Sequence, residues 1–95
     1  MIIIVTKQKI QAQKDTFIIN NEVEIIDDYH LSFNNQIIEF DYLLFDDYHL
    51  IKRLDKIDVM LDDGEPVVNY YGETTLENIF YGNIQFSLNY LRNGD

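Results

Sequence analysis

The chain has 95 residues, contains no cysteine and carries a formal net charge of −10 at pH 7. Because a second independent core would leave each half too small to offset its conformational entropy, we expect a single domain over residues 1–95. Hydrophobic residues make up 46% of the chain, which is enough to build a packed core. The lack of cysteine excludes disulfides, thiolate metal sites and cysteine nucleophiles, and it favours a cytoplasmic protein.

The first predicted element is a β-strand over residues 1–5, which are all apolar. This run is far shorter than a signal-peptide core or a membrane span, so we expect no association with a membrane. The frequent isoleucine and asparagine residues are typical of AT-rich coding sequences. They favour an origin in a low-GC bacterium or in one of its mobile elements, bacteriophages included.

Two Asn-Asn dipeptides each lie between two runs of mainly β-branched or aromatic residues. The runs are residues 16–19 and 22–26 around Asn20-Asn21, and residues 29–33 and 36–40 around Asn34-Asn35. Asparagine tolerates the positive φ that a two-residue type I′ turn requires, so both patterns predict a tight β-hairpin.

The second of these hairpins has a definite predicted register. A two-residue loop pairs Phe33 with Gln36, Leu31 with Ile38 and His30 with Glu39. Side chains alternate between the two faces of a strand, so Tyr29, Leu31 and Phe33 are expected to face the core. His30 and Ser32 are then expected to face solvent.

A third hairpin is predicted around Asp62-Asp63-Gly64-Glu65, because Asp-Gly is a strong turn signal between short apolar runs. The runs are residues 59–61 and 66–70. Pro66 has no backbone N–H, so it indicates an edge strand or the first residue of a strand.

Residues 42–56 are compatible with two local structures. They could continue a strand through Phe45, since the segment is rich in apolar and aromatic residues. They could equally form a short helix, since Leu44, Tyr48 and Ile51 have helical spacing. The sequence leaves this choice open.

The C-terminal segment predicts an amphipathic α-helix from about Thr75 to Arg92. Thr74 and Glu77 have the spacing of a capping box, and Gly94 stands where a helix stop is expected. Apolar residues recur every three or four positions at Leu76, Phe80, Ile84, Leu88 and Leu91. Together the elements predict an α+β fold, in which antiparallel β-hairpins form a twisted sheet or partial barrel packed by one C-terminal helix.

Charge is unevenly distributed along the chain. Residues 1–14 carry three lysines and no acid, giving +3, whereas residues 15–95 carry 17 acids and four bases, giving −13, and the two sum to −10. Such a surface repels nucleic acid and anionic lipid, so we expect no direct binding to either. It attracts a basic protein partner, although acidity can also serve only to keep a small domain soluble.

The leading functional hypothesis is therefore a small, non-enzymatic protein-binding domain that inhibits or modulates a basic protein, for example one that binds nucleic acid. Inhibitors, immunity proteins and accessory factors of mobile elements act in this way, with carboxylates occupying positions that phosphates would take. The acids expected to carry the contact lie in or beside the predicted turns. They are Asp27, Asp28, Asp41, Asp46, Asp47, Asp62, Asp63 and Glu65.

One five-residue segment occurs twice and suggests an alternative. Asp-Asp-Tyr-His-Leu spans residues 27–31 and again residues 46–50, and the two copies contain both histidines of the chain. If the copies were adjacent, His30, His49, Asp28 and Asp47 could bind Zn²⁺ or Mn²⁺ or supply a general acid and base. The simpler interpretation is structural: Asp-Asp begins a turn, and the His30–Glu39 pair is an ordinary cross-strand contact.

The chain lacks the common catalytic and cofactor-binding motifs. It has no glycine-rich phosphate loop, no His-Glu-x-x-His, no Gly-x-Ser-x-Gly and no calcium loop. We therefore expect neither catalytic residues nor a cofactor. A third hypothesis is a structural subunit that forms a homo-oligomer through exposed strand edges or through the wide apolar surface of the helix.

Overall fold

The computed structural model describes residues 1–93. Gly94, where the sequence predicts the helix stop, lies outside the described residues. The described part has these strands: β1 (Ile2–Val5), β2 (Thr16–Ile19), β3 (Val23–Asp27), β4 (His30–Phe33), β5 (Gln36–Glu39), β6 (Tyr42–Phe45), β7 (Ile51–Lys52), β8 (Leu61–Asp62), β9 (Glu65–Pro66) and β10 (Ile79–Tyr81). Its α-helix is α1 (Ile84–Asn93), and 3₁₀ turns occupy Tyr48–Leu50 and Leu54–Lys56. The α+β class is confirmed.

The arrangement of the strands differs from the predicted antiparallel sheet or partial barrel. Sheet A has the order β10-β6-β1-β2, and all of its neighbouring strands are parallel. Sheet B has the order β5-β4-β3-β7, with an antiparallel meander from β3 to β5 and a parallel pairing of β7 with β3. Strands β8 and β9 form a separate two-stranded ribbon.

Sheet A is buried on both faces. Along β1, Ile3 and Val5 belong to a core shared with sheet B, whereas Ile2 and Ile4 belong to a second core that includes Ile84 of α1. The molecule therefore has three layers in the order α1, sheet A, sheet B. Central parallel strands that are covered on both sides consist of continuous apolar residues, which explains the uninterrupted run at residues 2–5.

The hairpin at Asn34-Asn35 is confirmed in its predicted register. His30 pairs with Glu39, Leu31 with Ile38 and Phe33 with Gln36. Both asparagines have positive φ, 52° and 62°, as a type I′ turn requires. The expectation that Tyr29 faces the core is wrong, because Tyr29 lies in the turn before β4 and is 54% exposed.

The hairpin predicted at Asn20-Asn21 is wrong. β2 belongs to sheet A and β3 to sheet B, so the dipeptide turns the chain from one layer to the next. The Asn20 side-chain amide donates a 2.5 Å hydrogen bond to the carbonyl of Thr6, and Asn21 Oδ1 accepts one from the N–H of Glu22. These side chains replace the backbone pairing that a hairpin would supply.

Residues 42–66 include a strand, two 3₁₀ turns and a short hairpin. The chain continues as a strand through Phe45 and then forms the two 3₁₀ turns, so both local structures considered for residues 42–56 are present in part. The third hairpin is confirmed in a shortened form: β8 and β9 have two residues each, and the turn residues Asp63 and Gly64 have φ of 54° and 86°.

The C-terminal helix begins nine residues later than predicted. Residues 79–81 form β10 at the edge of sheet A, and Gly82 then has φ 128°, a conformation that excludes helix. Thr74 does not cap a helix: its hydroxyl donates to the carbonyls of Leu76 and Ile79. Asn83 caps α1 instead, with Oδ1 accepting a 2.9 Å hydrogen bond from the N–H of Phe86. No helix within residues 1–93 is long and apolar enough to cross a membrane.

Candidate functional site

Three of the acids predicted to contact a partner lie at the two ends of β6 in sheet A. Asp41 immediately precedes β6, whereas Asp46 and Asp47 immediately follow it. Because the strands of this sheet are parallel, one end of the layer is formed by the starts of all four strands and the other by their carboxyl ends.

A groove of about 590 Å³ lies at the amino end of the sheet. Three carboxylates line it, from Asp28 in the β3–β4 turn, Asp41 before β6 and Glu77 before β10. Tyr29 and Tyr42 also line it and are 54% and 37% exposed. Its other lining residues are Thr75, Leu76 and Asn78, so no basic side chain lines the groove.

Two hydrogen bonds and an ion pair between distant segments fix the shape of this groove. The Asn78 side-chain amide donates a 2.7 Å hydrogen bond to the carbonyl of Asp28. The carbonyl of Asn78 in turn accepts a 2.9 Å hydrogen bond from the N–H of Leu43 in β6. Asp41 forms an ion pair with the amino group of Met1. The acids are therefore carried by segments that are joined to one another and to sheet A.

The carboxyl end of the sheet holds acids that are mostly engaged within the protein. Asp46 Oδ2 accepts hydrogen bonds of 2.8 Å from the hydroxyl of Thr6 and of 2.6 Å from the amide of Gln8. Glu65 accepts a 2.5 Å hydrogen bond from the hydroxyl of Tyr81. These contacts give Asp46 and Glu65 a structural role in holding the ends of β1 and β10.

The acids of the β8–β9 ribbon lie on its exposed surface. Asp62 and Asp63 are exposed, and Asp63 occupies the first turn position. A Cβ built on Gly64 would be 4.0 Å from the ring of Tyr48, which places this turn beside the carboxyl end of β6.

The two copies of Asp-Asp-Tyr-His-Leu fold differently. In the first copy, Asp27 Oδ1 accepts a 2.9 Å hydrogen bond from the N–H of Tyr29 and lies 2.8 Å from the His30 ring. In the second copy, Asp47 Oδ1 accepts a 3.0 Å hydrogen bond from the N–H of His49 and lies 3.1 Å from its ring. The first copy turns from β3 to β4, and the second begins a 3₁₀ turn.

These contacts lower the pKa of both carboxyl groups. The pKa of Asp27 is lowered chiefly by the N–H of Tyr29 and then by the His30 ring. The pKa of Asp47 is lowered chiefly by the N–H of His49 and then by the His49 ring. A hydrogen bond to the charged form favours that form, so both side chains stabilise their own turns as carboxylates.

The four residues considered for a metal site are not brought together as a ligand set. His30 contacts Asp27 rather than Asp28, and His49 contacts the neighbouring Asp47. Over the part of the chain that the structure describes, no group of three His, Cys, Asp or Glu side chains is placed to hold a metal ion.

Sequence reasoning missed part of the groove. Glu77 is expected from its spacing to cap a helix, and Tyr29 is expected in the core, yet both line the groove. The approach of Glu77 to Asp41 depends on the long-range pairing of β6 with β10, for which the sequence contains no local signal. Comparisons with protein-family models, with curated proteins and with solved structures find no match.

Proposed function

We propose that this protein is a non-enzymatic binding domain whose amino-end groove engages a basic segment of a partner protein. The observation that carries the proposal is the convergence of Asp28, Asp41 and Glu77 with two exposed tyrosines in one groove. Binding of this kind blocks or modulates the partner, as an inhibitor, an immunity protein or a mobile-element accessory factor does.

Electrostatics supports a basic partner. The net charge of −10 gives a long-range field that attracts cations, and carboxylates concentrated in a concave surface strengthen that field locally. The same field opposes binding to phosphates, so the target is a protein, including one whose own ligand is nucleic acid.

The tyrosines support a protein contact rather than a purely ionic one. Tyr29 and Tyr42 present ring surface to solvent beside the carboxylates. Tyrosine combines apolar area with a hydroxyl and has few rotatable bonds, and for this reason it is enriched at the centres of interfaces. The groove thus offers both contact area and charge to an extended basic segment.

Affinity capture with two matched variants tests this proposal. One variant replaces Asp28, Asp41 and Glu77 by Asn, Asn and Gln. The control replaces the exposed acids Glu24, Asp55 and Asp63 by their amides, which also changes the net charge from −10 to −7 by removing three negative charges. Each protein is immobilised and exposed to a lysate of a low-GC bacterium at about 0.1 M and about 0.5 M salt.

We expect a basic protein to be retained by the native chain and the control at the lower salt concentration. The groove variant should bind it about tenfold more weakly, which corresponds to roughly 0.5 kcal/mol for each lost charge contact. Equal retention by the groove variant and the control would remove the groove from the proposal. Retention that is indifferent to salt in all three proteins would remove its electrostatic basis.

A further inference from the structure

A second recess adjoins the groove and has aromatic walls. It has a volume of about 400 Å³ and is lined by Tyr42, Phe80, Tyr90, Leu91, Glu73 and Glu77. The rings of Tyr42 and Phe80 have centroids 6.4 Å apart, and those of Phe80 and Tyr90 have centroids 6.1 Å apart. The three rings are inclined to their neighbours by 58° and 54°, so they curve around the recess instead of forming a flat stack.

The rings come from three separate elements, and two of them, Phe80 and Tyr90, are packed against other parts of the protein. Tyr42 begins β6, Phe80 lies in β10 and is 1% exposed, and Tyr90 belongs to α1. The Tyr90 ring is stacked on Tyr71 with centroids 4.3 Å apart and an angle of 18°. Binding therefore requires little reorganisation of the Phe80 and Tyr90 rings, which favours high affinity.

Two carboxylates complete the recess. Glu73 is fixed by Asn69, whose side-chain amide donates a 2.9 Å hydrogen bond to Oε1 and whose Oδ1 accepts a 3.0 Å hydrogen bond from the N–H of Glu73. Glu77 lines both the recess and the acidic groove. The charge of Glu73 is also the first cause of the raised pKa of Tyr90, which places negative potential at the aromatic wall.

We propose that this recess binds the guanidinium group of an arginine in the partner's basic segment. The inference rests on the proposed function and deepens it, because it names the side chain that the protein recognises. Tyr42 and Glu77 are common to the groove and the recess, so one extended segment can occupy both.

Arginine fits this recess better than lysine does. A guanidinium is planar, is weakly hydrated and can stack on an aromatic ring while its N–H groups bond to a carboxylate. The lysine ammonium is a compact and strongly hydrated charge that gains less from an aromatic face. The arrangement of Tyr90 with Glu73 provides both a ring and a carboxylate for one guanidinium.

The test compares two capped, fluorescently labelled peptides of equal length and charge, in which glycine alternates with either arginine or lysine. Binding is measured by fluorescence anisotropy at about 0.05 M salt. We expect the arginine peptide to bind the native chain about fivefold more tightly than the lysine peptide, given the strength of cation–aromatic contacts.

Tyr90→Leu should remove most of this difference, whereas Tyr90→Phe should retain it, because phenylalanine keeps the ring face. Tyr70→Leu is the matched control, since Tyr70 is 81% exposed and does not line the recess. Glu73→Gln provides a second variant in case Tyr90→Leu disturbs α1. It keeps the Oε1 acceptor for Asn69 but should weaken binding of both peptides.

The outcomes separate the two proposals. Equal affinity for both peptides, unchanged in Tyr90→Leu but weakened when the three groove acids are neutralised, would overturn the arginine site and leave the proposed function standing. If neither peptide bound the native chain at low salt, both proposals would be overturned. If Tyr70→Leu abolished the preference for the arginine peptide and Tyr90→Leu did not, the aromatic contact would lie outside the recess. That result would also overturn the proposed arginine site.

Discussion

The hydroxyl of Tyr81 donates a 2.5 Å hydrogen bond to Oε2 of Glu65, which joins the end of β10 to the β8–β9 ribbon. Burial, followed by the interaction with the Glu65 carboxylate, raises the pKa of Tyr81 to about 12. Since this pKa is raised from 10.0 by folding, the protonated hydroxyl stabilises the native state below about pH 10. That contribution is lost as the pH rises through 12.

The raised pKa of Tyr81 predicts a late step in an alkaline titration. Absorbance of tyrosinate near 295 nm should show one tyrosine that ionises at about pH 12, and Tyr81→Phe should abolish this step. Tyr70→Phe serves as the control, because Tyr70 is 81% exposed and its removal should leave the late step unchanged. A late step of full amplitude in Tyr81→Phe would show that another tyrosine is responsible.

The core between the two sheets predicts a large cost for truncating Leu43. This residue is 0% exposed and lies in the middle of the layered structure on β6. Leu43→Ala should lower the free energy of unfolding by about 2–5 kcal/mol, since it removes apolar contacts and leaves a cavity. Ile37→Ala should cost about 0.5 kcal/mol, because Ile37 is 67% exposed on β5. Urea unfolding followed by circular dichroism measures both values, and similar costs for the two variants would contradict the layered packing.

The late start of α1 predicts that Asn83 is a helix cap. Asn83→Ala removes the acceptor for the N–H of Phe86 and should lower the free energy of unfolding by about 1 kcal/mol. Asn89→Ala is the matched control within the helix, where Asn89 only accepts a 3.2 Å hydrogen bond from Gln85 on the exposed surface. Its effect should be within about 0.5 kcal/mol of zero. Thr74→Ala tests the cap that the sequence predicts, and it can also lower the free energy of unfolding because the Thr74 hydroxyl is hydrogen-bonded. Helix content measured by circular dichroism separates the two residues, because it should fall only in Asn83→Ala.

Local turn chemistry was sufficient to predict some elements but not their assembly. The same dipeptide, Asn-Asn, forms a type I′ turn at Asn34-Asn35 and a connection between sheets at Asn20-Asn21. The difference arises from β2, which pairs in parallel with β1 in sheet A, whereas β3 pairs with β4 and β7 in sheet B. Parallel pairing joins segments that are distant in sequence, so no local pattern indicates it.

The helical spacing of apolar residues in the C-terminal segment led to a wrong prediction of where the helix begins. Phe80 and Ile84 contribute to the predicted stripe, and both are buried in the same core, yet Phe80 is in β10 and Ile84 is in α1. Gly82 lies between them with a φ that only glycine adopts readily, and it marks the true boundary. A spacing of four residues therefore reflected shared burial, not one continuous helix.

The sequence was sufficient to predict some of the residues of the candidate site, but not how the fold arranges them. The acidity and the positions of Asp28 and Asp41 beside turns follow from the sequence. The approach of Glu77 and Tyr42 does not, because it requires the pairing of β6 with β10. The aromatic walls of the recess likewise come from three elements that are brought together only by the tertiary fold.

Asp47 provides a prediction about acid stability. Its pKa is lowered from 3.8 by folding, chiefly through the hydrogen bond from the N–H of His49, so the carboxylate stabilises the native state at pH values above 3.8. That contribution is lost as the pH falls below 3.8 and then below the lower pKa that Asp47 has in the folded protein. Asp47→Asn retains a side-chain oxygen that can cap the 3₁₀ turn but has no charge.

We therefore expect the native chain to be more stable than Asp47→Asn at pH 6, and this difference to be smaller at about pH 3, which lies below 3.8. Chemical denaturation across this range measures the difference. His49→Ala is the control: it keeps the backbone N–H that is the main cause of the lowered pKa, so it should preserve most of the pH dependence. A deficit in Asp47→Asn that is the same at both pH values would mean that the amide caps the turn poorly, and that the charge of Asp47 does not stabilise the fold.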